Sequence, residues 1–221
     1  DKKIREMTNV SDTLKTFASA IEDIQKQIFE MALVVEKELL LAVEALASND
    51  RKDSEEVIDL DKVVDRYDNE INSSILQLIT IQPPLPTELR KLTSMIRISR
   101  EYERIGDYAV NIAELSVNTK LDVESDAYNR IREMCELKVT MLKKSLDVLK
   151  LKDRELALKV EHSDDKIDQY FEDNQQYIIQ EMREKDADIE SLANLLLVNR
   201  YLERGGDHIV NVMRLVQSGN Y

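Results

Sequence analysis

Two pairs of acidic residues stand four positions apart in segments that are otherwise apolar: Glu103 with Asp107, and Glu203 with Asp207. Four residues make about one turn of an α-helix, so both carboxylates of a pair point to the same side. Each glutamate takes a position where the repeating apolar pattern predicts a buried residue. An unpaired carboxylate there would cost several kcal/mol or stay protonated.

A matching set of acids lies in the preceding helix of each half of the chain. The first half has Asp61 and Asp65, continued by Asp68, and the second half has Asp164 and Asp168. If short loops make the helices antiparallel, four carboxylates converge in each half and repel one another unless a cation lies between them. Oxygen ligands suit Mg²⁺, Mn²⁺ or iron, whereas zinc would lack its usual Cys and His ligands. We therefore predict two metal sites.

An alternative interpretation needs no metal. Arg100 and Arg104 lie on the helix of the first pair, and Arg200 and Arg204 lie on the helix of the second. These guanidinium groups could neutralise the acids, and an isolated E-x-x-x-D is usually a solvated helix face. The protein would then be a purely structural helical adaptor.

The spacing of apolar residues predicts the elements that carry these acids. Apolar side chains recur at alternating steps of three and four residues, which indicates helices. Three helices are expected in the first half, with a proline-rich loop at 83–86 ending the second. Three more are expected near 125–151, 154–184 and 187–217.

The two halves are copies of one unit. Arg97–Leu115 and Leu197–Leu215 share eight of nineteen residues at a shift of 100. Because a duplicated helical unit buries its apolar faces within each copy, we predict an all-α fold of two tandem three-helix bundles. The bundles are expected to span residues 1–119 and 120–221.

Composition narrows the class of function. The net charge of −13 argues against a nucleic-acid partner, because phosphates would be repelled. No apolar run approaches the roughly 20 residues needed to span a bilayer. The single cysteine, Cys135, fits a reducing cytoplasm. We therefore expect a cytoplasmic protein. The sequence has no nucleophile–base pair and no phosphate-cradling loop, so we also expect that the protein is not an enzyme.

Several motifs resemble those of the PhoU family. Glu103–Asp107 and Glu203–Asp207 look like its repeated E-R-x-G-D signature, and Gln82–Pro83 with Glu88–Arg90 resemble its Q-P and D-L-R stretches. The resemblance covers about 17–219. It implies tandem bundles that bind multinuclear clusters of iron or another divalent cation (Mn, Mg or Zn) through E(D)-x-x-x-D motifs. Matched by position, the ligands are Asp61, Asp65, Glu103, Asp107, Asp164, Asp168, Glu203 and Asp207.

The resemblance also implies a role. PhoU-like proteins are negative regulators of phosphate uptake and of phosphate-starvation signalling. They couple the Pst phosphate ABC transporter to a sensor histidine kinase at the inner membrane face. We therefore expect peripheral membrane association through partners, and a homodimer. One departure from the motif is Gly205, which stands where a larger apolar residue is usual and puts the rigidity of the second site in question.

Two other functions stay open. The chain starts without Met, so it could be the PhoU-like regulatory domain of a sodium–phosphate cotransporter. A carboxylate-bridged metalloenzyme is the other alternative. Di-iron bundles normally use Glu-x-x-His ligands, whereas His208 directly follows Asp207, which disfavours oxidase chemistry.

Overall fold

A computed structural model describes residues 2–48, 51–122, 124–219 and 221, with side chains from Phe17 onward. The described residues form helices joined by short loops and contain no strand. The predicted all-α class is confirmed. The helices are α1 (Lys2–Ser48), α2 (Arg51–Ile81), α3 (Pro86–Ser116), α4 (Asp126–Leu151), α5 (Arg154–His162), α6 (Asp164–Glu181) and α7 (Ile189–Gln217).

The first bundle consists of α1, α2 and α3, which all pack against one another. The proline loop turns the chain between α2 and α3, and Pro86 opens α3, where its missing N–H costs nothing. The Glu88 carboxylate accepts a hydrogen bond from the Leu85 N–H at 2.7 Å, which caps the helix. As a result α2 and α3 run antiparallel.

The second bundle departs from the prediction at its middle element. One helix was expected near 154–184, but the structure has two, α5 and α6, separated at Ser163. The Ser163 hydroxyl donates a hydrogen bond to the Val160 carbonyl at 2.6 Å. This local bond competes with the regular helical ladder. Asp164 therefore opens α6 rather than lying in mid-helix.

The two bundles pack together along α3 and α7, with α1 also against α4. Glu101 on α3 accepts hydrogen bonds from His208 Nδ1 at 2.6 Å and from the Asn211 amide at 3.1 Å. The rings of Tyr108 and Tyr201 stack with centroids 5.7 Å apart. The two helices with the glutamate–aspartate pairs are thus neighbours. The predicted division between residues 119 and 120 falls in the connection from α3 to α4.

No helix in the described part of the chain is long and apolar enough to cross a membrane.

Candidate metal centre

The centre of the first bundle contains an acid that the sequence reading did not include. Glu38, on α1, is fully buried, and neither of its carboxylate oxygens has a hydrogen-bond partner among the described residues. It faces Gly106 on α3, where an added Cβ would lie 3.0 Å from Glu38 Oε2 and 3.2 Å from Asp61 Oδ1. Gly106 therefore gives room for carboxylates from two other helices beside its backbone.

Burial and mutual repulsion raise the pKa of these acids. Burial, followed by repulsion from Asp61, Asp65 and Asp107, raises the pKa of Glu38 to about 9. Burial, followed by repulsion from Asp65 and Asp107, raises the pKa of Asp61 to about 6. At neutral pH Glu38 therefore holds a proton when no cation is near. A cation placed among these groups would favour their charged forms instead.

Glu103 and Asp107 are partly neutralised by arginine. Arg100 donates to Glu103 at 3.0 Å and Arg104 donates to Asp107 at 3.0 Å, both three residues apart along α3. Both guanidinium groups are about half exposed, where such pairs contribute roughly 0–1 kcal/mol. Burial, followed by Asp107, still raises the pKa of Glu103 to about 7.

The arginine pairs leave the buried part of the cluster unsatisfied. Glu103 Oε2 and Asp61 Oδ1 are buried and have no hydrogen-bond partner among the described residues. Asp68, by contrast, accepts a hydrogen bond from the Ser99 hydroxyl at 2.7 Å, so this acid has a structural partner. The arginine interpretation therefore accounts for the outer side of the cluster, not for Glu38 and Asp61.

The second bundle brings three of its four predicted acids to one open groove, which Glu203 does not line. Asp164, Asp168 and Asp207 line it, and the exposed Asp165 lies beside them. Burial raises the pKa of Asp164 to about 7, and charge repulsion from Asp168, Asp207 and Glu203 acts in the same direction. Arg200 pairs with Glu203 at 3.1 Å, as Arg100 does with Glu103. Gly206 allows Asp164 to approach α7, because a Cβ there would overlap the Asp164 carboxylate.

A lysine lies inside this second acidic cluster. Lys138, on α4, is fully buried, and its amino group donates to the Tyr201 carbonyl at 3.5 Å. A Cβ on Gly205 would overlap that amino group. Burial lowers the pKa of Lys138 to about 8, against attraction from Cys135, Asp164 and Glu203 that raises it. A pKa in that range leaves the amino group mostly protonated at neutral pH.

The eight predicted ligands therefore fall into two groups of four, one in each bundle. Among the described residues, no three or more Asp, Glu, His or Cys side chains are already arranged to hold a metal ion. Binding would require the side chains to turn toward a common point. Metal ligation by these residues thus remains a prediction.

Glu38 and Lys138 carry signals in the sequence that could have identified them. Glu38 follows Val35 by three residues and precedes Ala42 by four, which puts it in the apolar seam of α1. Lys138 likewise precedes the buried Leu142 by four residues, which puts it in the apolar seam of α4. The acids of α2 and α3 were recognised by their spacing, whereas each of these residues is a single charged group without a motif.

Comparisons with known proteins agree with the duplicated fold. The family model described as the PhoU domain matches residues 28–116 and again residues 131–216. A phosphate-specific transport system accessory protein PhoU homolog of Clostridium acetobutylicum is 30% identical over 201 residues, covering 90% of this chain and 92% of the relative. A homolog of the same description from Methanothermobacter thermautotrophicus is 28% identical, with 89% and 90% covered.

Solved structures agree as well. The crystal structure of PhoU from Pseudomonas aeruginosa matches with a TM-score of 0.82 at 25% identity, covering 90% of this chain and 96% of that one. The phosphate transport system regulatory protein PhoU from Streptococcus pneumoniae matches in fold with the same TM-score of 0.82. With two copies of the domain spanning most of its length, this chain belongs to the PhoU family.

Proposed function

We propose that this protein is a metal-binding negative regulator of phosphate uptake and of phosphate-starvation signalling. The relatives named above are accessory proteins of phosphate-specific transport systems, and the family membership supports the same process for this chain. We propose that it acts through protein partners, a phosphate ABC transporter and a sensor histidine kinase, and that it forms a homodimer. Its location would be the cytoplasm, with membrane association through those partners.

One observation carries the metal part of the proposal. Glu38 is fully buried with two unpartnered oxygens, beside Asp61 Oδ1, which is also buried and unpartnered. Leaving a buried polar group unsatisfied costs roughly 1–3 kcal/mol, so the cluster is a liability to the protein unless something binds there. An all-carboxylate set fits a hard or borderline cation such as Mn²⁺, Mg²⁺ or iron.

The first bundle supplies the residues for such ions. Asp61 and Asp65 would contribute from α2, Glu103 and Asp107 from α3, and Glu38 from α1 beneath them. The bound ions would compensate the mutual repulsion of these carboxylates and fix the three helices together. Metal occupancy would thereby set the rigidity of the surface that partners meet.

A cell-based experiment tests the regulatory role. In a strain lacking the gene, a reporter of the phosphate-starvation response should become active in phosphate-rich medium, and the wild-type gene should silence it. A Glu38→Gln, Asp61→Asn double variant that folds and accumulates normally should fail to silence the reporter. If deletion leaves the reporter silent in phosphate-rich medium, the regulatory proposal is wrong.

A binding experiment tests the partners separately. The purified protein should retain the transporter's ATP-hydrolysing subunit and the kinase's cytoplasmic part from defined mixtures. The test variant is again Glu38→Gln, Asp61→Asn. Its matched control changes two exposed acids of α2 in the same way, Glu55 to Gln and Asp59 to Asn. Absence of binding to both partners by wild-type protein loaded with Mn²⁺ would contradict the proposal.

A further inference from the structure

The two bundles differ in the charge at their centres. Glu38 and Lys138 are both fully buried charged residues. At the shift of 103 that relates the first two helices of each copy, Glu38 corresponds to Met141 and Lys138 to Val35, so the second copy lacks the acid and has a lysine one turn before its place. Glu38 faces Gly106 of α3, and Lys138 faces Gly205 of α7. The first bundle thus adds a fifth acid to its cluster, while the second adds a cation.

Gly205 leaves the space that the Lys138 amino group occupies. The residue corresponding to Gly205 in the first copy is Ile105, which is fully buried. An isoleucine at 205 would occupy the space of the Lys138 amino group, since even a Cβ there overlaps it. The departure from the E-R-x-G-D pattern and the buried lysine are therefore one structural feature.

The lysine also reaches the groups that a metal would need. Its amino group lies against Gly205, and the Asp164 carboxylate lies against the next residue, Gly206. Asp164 and Glu203, two of the four predicted ligands of the second bundle, attract this amino group. An ammonium group near two carboxylates supplies the positive charge that they lack and repels a further cation. Asp164 Oδ1 and Glu203 Oε2 are buried without a hydrogen-bond partner among the described residues, as are oxygens of the first cluster. The second cluster differs because a fully buried lysine stands beside it, so its residues fit a further cation less well than those of the first bundle.

We propose that the Lys138 amino group takes the place of a metal ion in the second bundle, so that this chain holds its metal in the first bundle only. The inference rests on the proposed metal-binding function. It assigns the two halves different roles: the second bundle is compact without metal, and the first is the half whose order depends on it.

Mn²⁺ binding to the full chain tests the assignment. Titration calorimetry and elemental analysis after gel filtration give the number of ions per chain. Glu103→Gln with Asp107→Asn should reduce bound Mn²⁺ at least tenfold. The matched pair in the second bundle, Glu203→Gln with Asp207→Asn, should leave it unchanged. If each double variant removes about half of the bound Mn²⁺, the inference is overturned.

Changing Lys138 gives the converse test. Lys138→Glu replaces the buried ammonium group with a fifth carboxylate and should about double the Mn²⁺ bound per chain, with the gain lost again when Glu203→Gln and Asp207→Asn are added. Should this variant not fold without metal, Lys138→Met removes the charge at similar volume and should also gain Mn²⁺. If neither variant gains Mn²⁺, the inference is wrong.

The two proposals fail in different ways. Wild-type protein that takes up no Mn²⁺ would contradict the metal-binding function. Gain of Mn²⁺ by Lys138→Glu or Lys138→Met would still support the role of Lys138 as a built-in cation, and no gain would overturn it. Circular dichroism on each variant shows that the helices are retained.

Discussion

Glu38 Oε2 lies 3.0 Å from the point where a side chain at Gly106 would begin, so the glycine of α3 and the buried acid of α1 share one space. Asp61 Oδ1 lies 3.2 Å from the same point. We predict that Gly106→Ala moves both carboxylates and weakens Mn²⁺ binding tenfold or more. Calorimetric titration measures this change.

The same substitution has a separate effect on stability. Alanine is favoured over glycine within a helix by about 1 kcal/mol, so the metal-free Gly106→Ala variant should be no more than slightly destabilised. Glu114→Ala, an exposed change on the same helix, is the control and should leave Mn²⁺ affinity unaltered. Unchanged affinity in Gly106→Ala would show that these carboxylates do not bind the ion.

The metal-free protein should lose stability as pH rises. The pKa of Glu38 is raised from its ordinary 4.5 to about 9, so between these values the folded state holds more protons than the unfolded state. The free energy of unfolding then falls with increasing pH throughout that window. The raised pKa values of Asp61 and Glu103, about 6 and about 7, act in the same direction.

Urea unfolding of protein stripped of metal and dialysed to pH 5 or pH 8 measures this pH dependence. Glu38→Gln should make the difference between the two pH values smaller, because it removes the group with the largest shift. Glu44→Gln, the control at an exposed position of α1, should leave the difference between the two pH values unchanged. An equal pH dependence in wild-type protein and Glu38→Gln would contradict the assignment.

Metal should stabilise the wild-type protein and not a variant without the buried acid. At about a hundred times its dissociation constant, a bound ion adds roughly 2.7 kcal/mol to the free energy of unfolding. Glu38→Leu should stabilise the metal-free protein by removing an unpartnered buried group, and should lose the Mn²⁺ effect. Melting curves with chelator and with Mn²⁺ measure both. If the arginines alone neutralise the cluster, neither chelator nor Mn²⁺ will change the curve.

Gly205 and Lys138 should be energetically coupled. In the wild-type background Gly205→Ala overlaps the lysine amino group and should destabilise by about 1–3 kcal/mol, the usual cost of overpacking. In a Lys138→Ala background the space is open, and the same change should be neutral or stabilising by up to about 1 kcal/mol. A double-mutant cycle from urea unfolding gives the coupling, and additive effects would contradict it.

We also predict no substrate turnover at rates typical of enzymes. The sequence offers no residue set up as nucleophile or general base. Hydrolysis of a phosphomonoester by Mn²⁺-loaded protein measures this directly. Sustained activity that disappears with Glu103→Gln would support the metalloenzyme alternative instead.

The sequence by itself determined the helices, the duplication and most of the acidic residues. These features are local or periodic: Glu103 and Asp107 are one turn apart, and the proline loop ends α2 wherever the chain goes next. The break at Ser163 could not be read in the same way. The spacing of apolar residues continues from α5 into α6. At the break, a single side-chain hydrogen bond runs from the Ser163 hydroxyl to the Val160 carbonyl.

Only the tertiary structure decided what lies at the centre of each bundle. Glu38 and Lys138 are single charged residues on helices far along the chain from the acids that they meet. Their burial depends on how α1 packs on α3 and how α4 packs on α7. Sequence spacing fixes which side of one helix a residue faces, but not which residues of another helix stand opposite. The pairings of Glu38 with Gly106 and of Lys138 with Gly205 therefore exist only in the packed molecule.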